Sequence, residues 1–251
     1  MKKLYFVVFE PIKYSWILAP IQILIQIRTW GKATHVGMMW NESDFEQFLD
    51  YIRNNREIHR NEALEKFKSA GEVISAIFPK VSIQNIFEDY VNDRVFIKSI
   101  EVSDFQHKKV HELWIKRLGK ERYSIFGLIW FVVAPFIDWV KPVKDIEPDK
   151  GFCSEVATNI LYGSGVKVFS FMSNKFEDDL LLARKTSMDE FEKIVGEKIY
   201  EMSSKEFWNL ANNTNKFYFG YKVSPRMFKL SPIFNNEGIL EIKKDKVIYN
   251  E

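Results

Sequence analysis

Apolar positions along the chain follow two periods, one of strands and one of helices. Leu4 to Phe9 is an unbroken run of β-branched and aromatic residues closed by Glu10-Pro11, which predicts a short buried strand. Residues 14–28 carry Trp16, Ile17, Ile21, Leu24, Ile25 and Ile27 at helical spacing, with Pro20 as an N-terminal or kink signal, over a length too short for a membrane span. Ala33 to Trp40 predicts a second strand with a histidine embedded in it. Ser43 to Ile58 predicts a helix, with Ser43 and Glu46 spaced as a capping box. Residues 72–78 and 94–102 predict two further strands, the first closed by Pro79.

The second half is more helical. Residues 104–118 predict an amphipathic helix that Ser103 can cap and Gly119 can stop. From Ile125 to Val140 the sequence is apolar almost throughout, interrupted by Pro135 and Asp138, and the polar stretch 141–150 reads as a loop. Phe152 to Tyr162 predicts a helix with a stop at Gly163. Helices near 187–200 and 203–211 each begin with a Ser-x-x-Glu pattern, Ser187 with Glu190 and Ser203 with Glu206, before a β-rich tail from Lys216. Strands followed by helices, without regular alternation, give an α+β expectation: one domain over 1–251, elaborated by a helical insertion near 181–220.

Composition narrows the possible partners. Net charge is +2 with both signs mixed along the chain, so no basic footprint for nucleic acid exists. With 22 Phe and 7 Trp the core should be bulky and aromatic. The apolar run after Lys2-Lys3 is broken too early by Glu10-Pro11 for a secretory signal, and one cysteine cannot make an internal disulfide, so a reducing cytoplasm is expected.

That cysteine, Cys153, lies in Gly-Phe-Cys-Ser-Glu at a predicted helix start, where free backbone N–H groups and the helix dipole favour a thiolate. The alternative is a small apolar residue packing the helix onto the core. His35 lies in Thr-His-Val-Gly-Met-Met-Trp, a strand in which a buried imidazole needs a partner or a task; a satisfied core histidine is the other reading. Together they supply a nucleophile and a base, the minimum for thiol-dependent acyl transfer. His107 and His111 stand four apart on one helix face, a metal-compatible spacing, but no third ligand is expected nearby. They read as surface histidines, as does His59 on a charged helix, and neither a metal nor another cofactor is expected.

Thr34-His35-Val36-Gly37 followed by Phe152-Cys153-Ser154-Glu155 resembles the circularly permuted branch of the NlpC-type papain-like cysteine peptidases, specifically YiiX-like members, whose Ser-His-x-Gly strand precedes Tyr-Cys-Ser-Glu. The likeness continues through Val81, Leu118-Gly119-Lys120 with Tyr123, and Val223-Ser224-Pro225 with Phe228. It implies a permuted papain-like fold in which an antiparallel sheet packs on the nucleophile helix. It implies further that Cys153 attacks an amide carbonyl, His35 shuttles the proton, and Tyr123 or a neighbouring loop adds an oxyanion donor. YiiX-like enzymes place a Glu on the strand after the His strand. The matching position here is Ser75, with Glu72 three residues away and facing the other side of a regular strand.

The resemblance implies a peptide, peptidoglycan-fragment or acyl substrate. Related permuted enzymes include lipid-directed acyltransferases and deacylases, which leaves peripheral membrane contact through 125–140 open beside the reading of that segment as buried core. A non-catalytic module that keeps the fold is the third alternative, favoured by Ser75 in place of a carboxylate.

Overall fold

Leu4 through Pro11 are all buried, because the strand they form, β1 (Lys2–Pro11), runs through the middle of a sheet with a packed layer on each face. In the computed structural model, residues 1–12, 32–123, 150–151, 153–166, 225–231 and 233–251 are described, together with positions 23 and 26. The predicted segments 14–28 (apart from 23 and 26), 125–140, 187–200 and 203–211, and the insertion near 181–220, lie outside the described residues.

β1 is longer than its apolar run. Glu10 stays in the strand because Lys229 Nζ reaches its carboxylate at 2.6 Å, and Pro11 ends it opposite Asp93. β1 pairs antiparallel with β2 (His35–Met39) on one side and, on the other, with a later strand, β6 (Asp93–Val102). Helix α1 (Glu42–Asn55) starts at Asn41, with no side-chain cap hydrogen bond. The expected capping box at Ser43 therefore does not form, and Glu46 instead accepts a hydrogen bond from the Tyr5 hydroxyl at 2.7 Å. Strand β3 (Glu57–His59) and helix α2 (Arg60–Lys66) follow, so His59 sits at a strand end and not on a helix.

Strands β4 (Glu72–Ile77) and β5 (Lys80–Asn85) form a hairpin around a cis Phe78-Pro79 bond, and a one-turn helix α3 (Ile86–Asp89) leads to β6. Helix α4 (Asp104–Arg117) has a full capping box between Ser103 and Gln106. Its chain stops at Gly119, whose φ of 72° lies in the left-handed region that favours glycine. Short strands β7 (Arg122–Tyr123) and β8 (Lys150–Gly151) precede helix α5 (Cys153–Gly163). Helix α6 (Pro225–Leu230) and strands β9 (Asn235–Ile242) and β10 (Lys246–Asn250) form the tail.

Among the described residues ten strands make one sheet in the order β3-β10-β9-β6-β1-β2-β4-β5-β7-β8, antiparallel except at β7-β8. This is an α+β architecture. The pleat sends Leu4, Phe6 and Val8 into a layer with Val110, Leu113 and Trp114 of α4 and Val156, Ile160 and Leu161 of α5. Tyr5, Val7 and Phe9 enter the opposite layer with Phe45, Phe48 and Ile52 of α1. Among the described residues no helix is long and apolar enough to cross a membrane.

Candidate active site

Cys153 is the first residue of α5, and its side chain is buried in the layer that holds Val36 and Met38. Backbone N–H groups of Val36, Ser154 and Cys153 itself point at the sulfur and favour its anion. Two of these donors come from the unpaired first turn of the helix. The third belongs to the residue after His35, so α5, which packs on β2 and β4, delivers its thiol to the start of the His35 strand.

The imidazole of His35 packs against two rings that belong to the other layer. Its ring stacks with Tyr90 at 5.9 Å and 15°, and meets Phe9 at 5.4 Å. Nε2 lies 3.0 Å from Oγ of Ser75, which is fully buried on β4. Gly37 makes this possible: a Cβ there would come 3.1 Å from Cβ of Ser75 and 2.5 Å from Val73 Cγ2, so only glycine lets β2 and β4 approach so closely. The hydrogen bonding of His35 and of Cys153 is thus separate. The imidazole engages Ser75, while the sulfur sits against the adjoining Val36 peptide.

Glu72 takes no part. It stands at the far end of β4, where Asn41 Nδ2 donates to its carboxylate at 2.8 Å. Tyr123 is half-buried on β7, with its N–H bonded to the Pro79 carbonyl. Burial, then negative charge at Cys153 and Glu155, holds its hydroxyl far above the usual tyrosine range, which places the ring within electrostatic reach of the thiol.

Tyr90 is a site residue that no sequence motif marks. Besides stacking on Phe9 at 3.9 Å and on His35, it donates its hydroxyl to Gln84 Oε1 at 2.5 Å. Burial first, with a charge at Cys153 among the lesser causes, raises its pKa, while hydrogen bonding with Ser75 works the other way. One aromatic ring therefore borders the imidazole and feels the thiol. Asn92, two residues on, has a φ of 73° where the chain turns into β6.

No known family model and no curated protein matches this chain.

Protonation departs from the expectation of a ready thiolate. Burial pushes the Cys153 thiol up to about 11 despite its three N–H neighbours, and Glu155 adds to the rise. Burial pushes His35 down to about 4. The helix start does favour the anion, as the sequence implies, but desolvation outweighs it. At neutral pH the site holds a thiol and a neutral imidazole.

His107 and His111 prove to have a third companion. Glu42, the first residue of α1, brings its carboxylate oxygen to 2.7 Å from His111 Nε2 and 3.4 Å from His107 Nε2. All three side chains are half-buried, so these are not the plain surface histidines their helix spacing suggests.

Proposed function

We propose that this chain is a thiol-dependent hydrolase of the circularly permuted NlpC-type papain-like kind, resembling YiiX-like members, acting on an amide bond of a peptide or cell-wall-like substrate. The observation that carries this reading is the seat of Cys153: a helix-start sulfur facing three backbone N–H groups, one of them from the residue that follows His35. An sp² carbonyl entering there would meet the nucleophile and donors for its developing oxyanion together. Ser75 supports a division of labour on the imidazole. With Nε2–H donated to the Ser75 hydroxyl, Nδ1 keeps the lone pair that can accept the thiol proton and later return it to the leaving amine.

In this scheme the Cys153 sulfur bonds to the carbonyl carbon as its proton passes to His35. The tetrahedral adduct collapses to a thioester and the amine leaves with that proton, after which water, deprotonated by His35, releases the acid. The neutral resting pair fits a mechanism in which proton transfer accompanies attack. A standing ion pair is not required.

The same protonation favours a second reading, a non-catalytic module, since a buried thiol with a high pKa and a hydroxyl where YiiX-like enzymes hold a carboxylate suit a packed core. Acyl probes separate the two. Incubation with peptidyl and lipid thioesters and activated amides, followed by mass spectrometry, is expected to give an acyl adduct on Cys153 that turns over with time and is lost in folded His35→Ala. Absence of any Cys153 adduct across the panel, or adducts indifferent to His35→Ala, transfers the assignment to the module. Adducts from lipid probes alone would make it an acyltransferase or deacylase.

A further inference from the structure

We propose that Glu42, His107 and His111 form a binding site for a divalent transition-metal ion of the zinc type, which clamps helix α1 to helix α4. The ligand chemistry is a neutral-imidazole pair with one carboxylate, a set that suits Zn²⁺ and leaves one tetrahedral position for water. His107 and His111 are one helical turn apart on α4, and their ring centroids lie 4.7 Å apart at 39°. Both Nε2 atoms converge on the same oxygen of Glu42, and one donor atom from each of the three residues lies within 4.8 Å of the others.

Geometry places the trio near coordination already. Ligand atoms bound to zinc at its usual N and O distances of about 2.0–2.1 Å stand about 3.3 Å apart across a tetrahedral edge. The His107–Glu42 separation of 3.4 Å matches that edge. The His111–Glu42 contact of 2.7 Å must open by roughly half an ångström, a side-chain adjustment for the first residue of a helix. Lys2, which is exposed, adds a positive charge in the neighbourhood of His107. Trp40 flanks His111 at 5.1 Å and restricts its ring.

The site has a mechanical consequence. α1 packs on one face of the sheet and α4 on the other, so an ion held by Glu42 and the two histidines ties both layers together around the Trp40 end of β2. That end is opposite His35, which begins the strand, so the ion is remote from the candidate active site.

The test uses the full chain without a histidine tag. Calorimetric titration with Zn²⁺ should show one ion per chain, a rise in melting temperature, and, with Co²⁺, the visible absorption of a tetrahedral site. His107→Ala and His111→Ala should each weaken binding by more than the roughly 10–100-fold that loss of an outer-shell partner costs, whereas Cys153→Ala should leave it unchanged. In the unaltered chain Co²⁺ should broaden the imidazole resonances of His107 and His111 before those of the other two histidines. No stoichiometric binding by the folded chain, binding that survives the folded double variant, loss in Cys153→Ala, or broadening centred on His35 would overturn the proposal.

Discussion

His35 and Ser75 face each other across β2 and β4 at 3.0 Å, Nε2 to Oγ, with the hydroxyl wholly buried. Ser75→Ala removes the partner and leaves an imidazole nitrogen without one, which should lower stability by about 1–2 kcal/mol in urea unfolding. Ser75→Asp supplies a negative charge at the same place and should raise the His35 pKa, followed by its imidazole resonances against pH. An unchanged titration in a folded Ser75→Asp variant would mean that the two side chains do not meet.

Burial of neutral His35 makes stability pH-dependent with a definite sign. The unfolded chain binds a proton at this residue below about 6.5, whereas the folded chain does so only near 4. The contribution is therefore full above about pH 6.5 and is lost as pH falls toward 4, by about 1–3 kcal/mol for a partly accessible ring. Asp93, pushed up to about 7 by burial, acts in the opposite sense over the same interval. The comparison should therefore be between the unaltered chain and His35→Asn, both carrying Asp93. The stability advantage of the former should shrink as the medium is acidified from pH 6.5 to 4; an advantage constant over that range contradicts the burial argument.

Cys153 should alkylate slowly at neutral pH. With its thiol pushed up to about 11, the thiolate fraction at pH 7 is smaller than that of a free cysteine by roughly 100-fold or more. Iodoacetamide labelling should rise steadily from pH 8 to 10 without levelling. A rate plateau already reached at pH 7 would reveal a standing thiolate–imidazolium pair instead.

Gly37→Ala tests the close approach of β2 and β4. Alanine gains about 0.5–1 kcal/mol over glycine in a strand, but its Cβ would meet Val73 Cγ2 at 2.5 Å and the Ile74 carbonyl oxygen at 3.1 Å. Overpacking of roughly 1–3 kcal/mol should win. The variant is expected to melt lower, and the Ser75→Ala effect should diminish in its background as the strands part. A melting temperature equal to or above that of the unaltered chain would refute this.

Much of this architecture was legible in the hydrophobic pattern. β1, β2, β4 and β6 announce themselves as apolar runs, and α4 and α5 by their spacing, Ser103 and Gly119. β5 was not legible, because Lys80-Val-Ser-Ile-Gln-Asn is only part-buried and carries little apolar signal. The start of α1 misled for a tertiary reason: Tyr5 of the central strand claims Glu46, which the Ser43 pattern needs. At the candidate site, strand alternation indicated that Ser75 and Glu72 point to different faces. The rise of the Cys153 pKa was hidden, since the helix start is written locally but the enclosing layer comes from distant segments. Glu42 was hidden from His107 and His111 for the same reason, sixty-odd residues separating side chains that touch.

The central place of β1 constrains the order in which this chain can assemble. One edge of β1 is covered by β2, but the other waits for β6, which begins at Asp93 although β1 ends at Pro11, and β6 in turn holds β9, on which β10 pairs. Until that late strand docks, a ten-residue strand with an apolar run from Leu4 to Phe9 presents an open row of peptide donors and acceptors, the surface on which chains stick to one another. Refolding should therefore be slow for the length and sensitive to protein concentration, because the pairing that protects the sheet's midline joins strands as far apart along the chain as Lys2 and Val102.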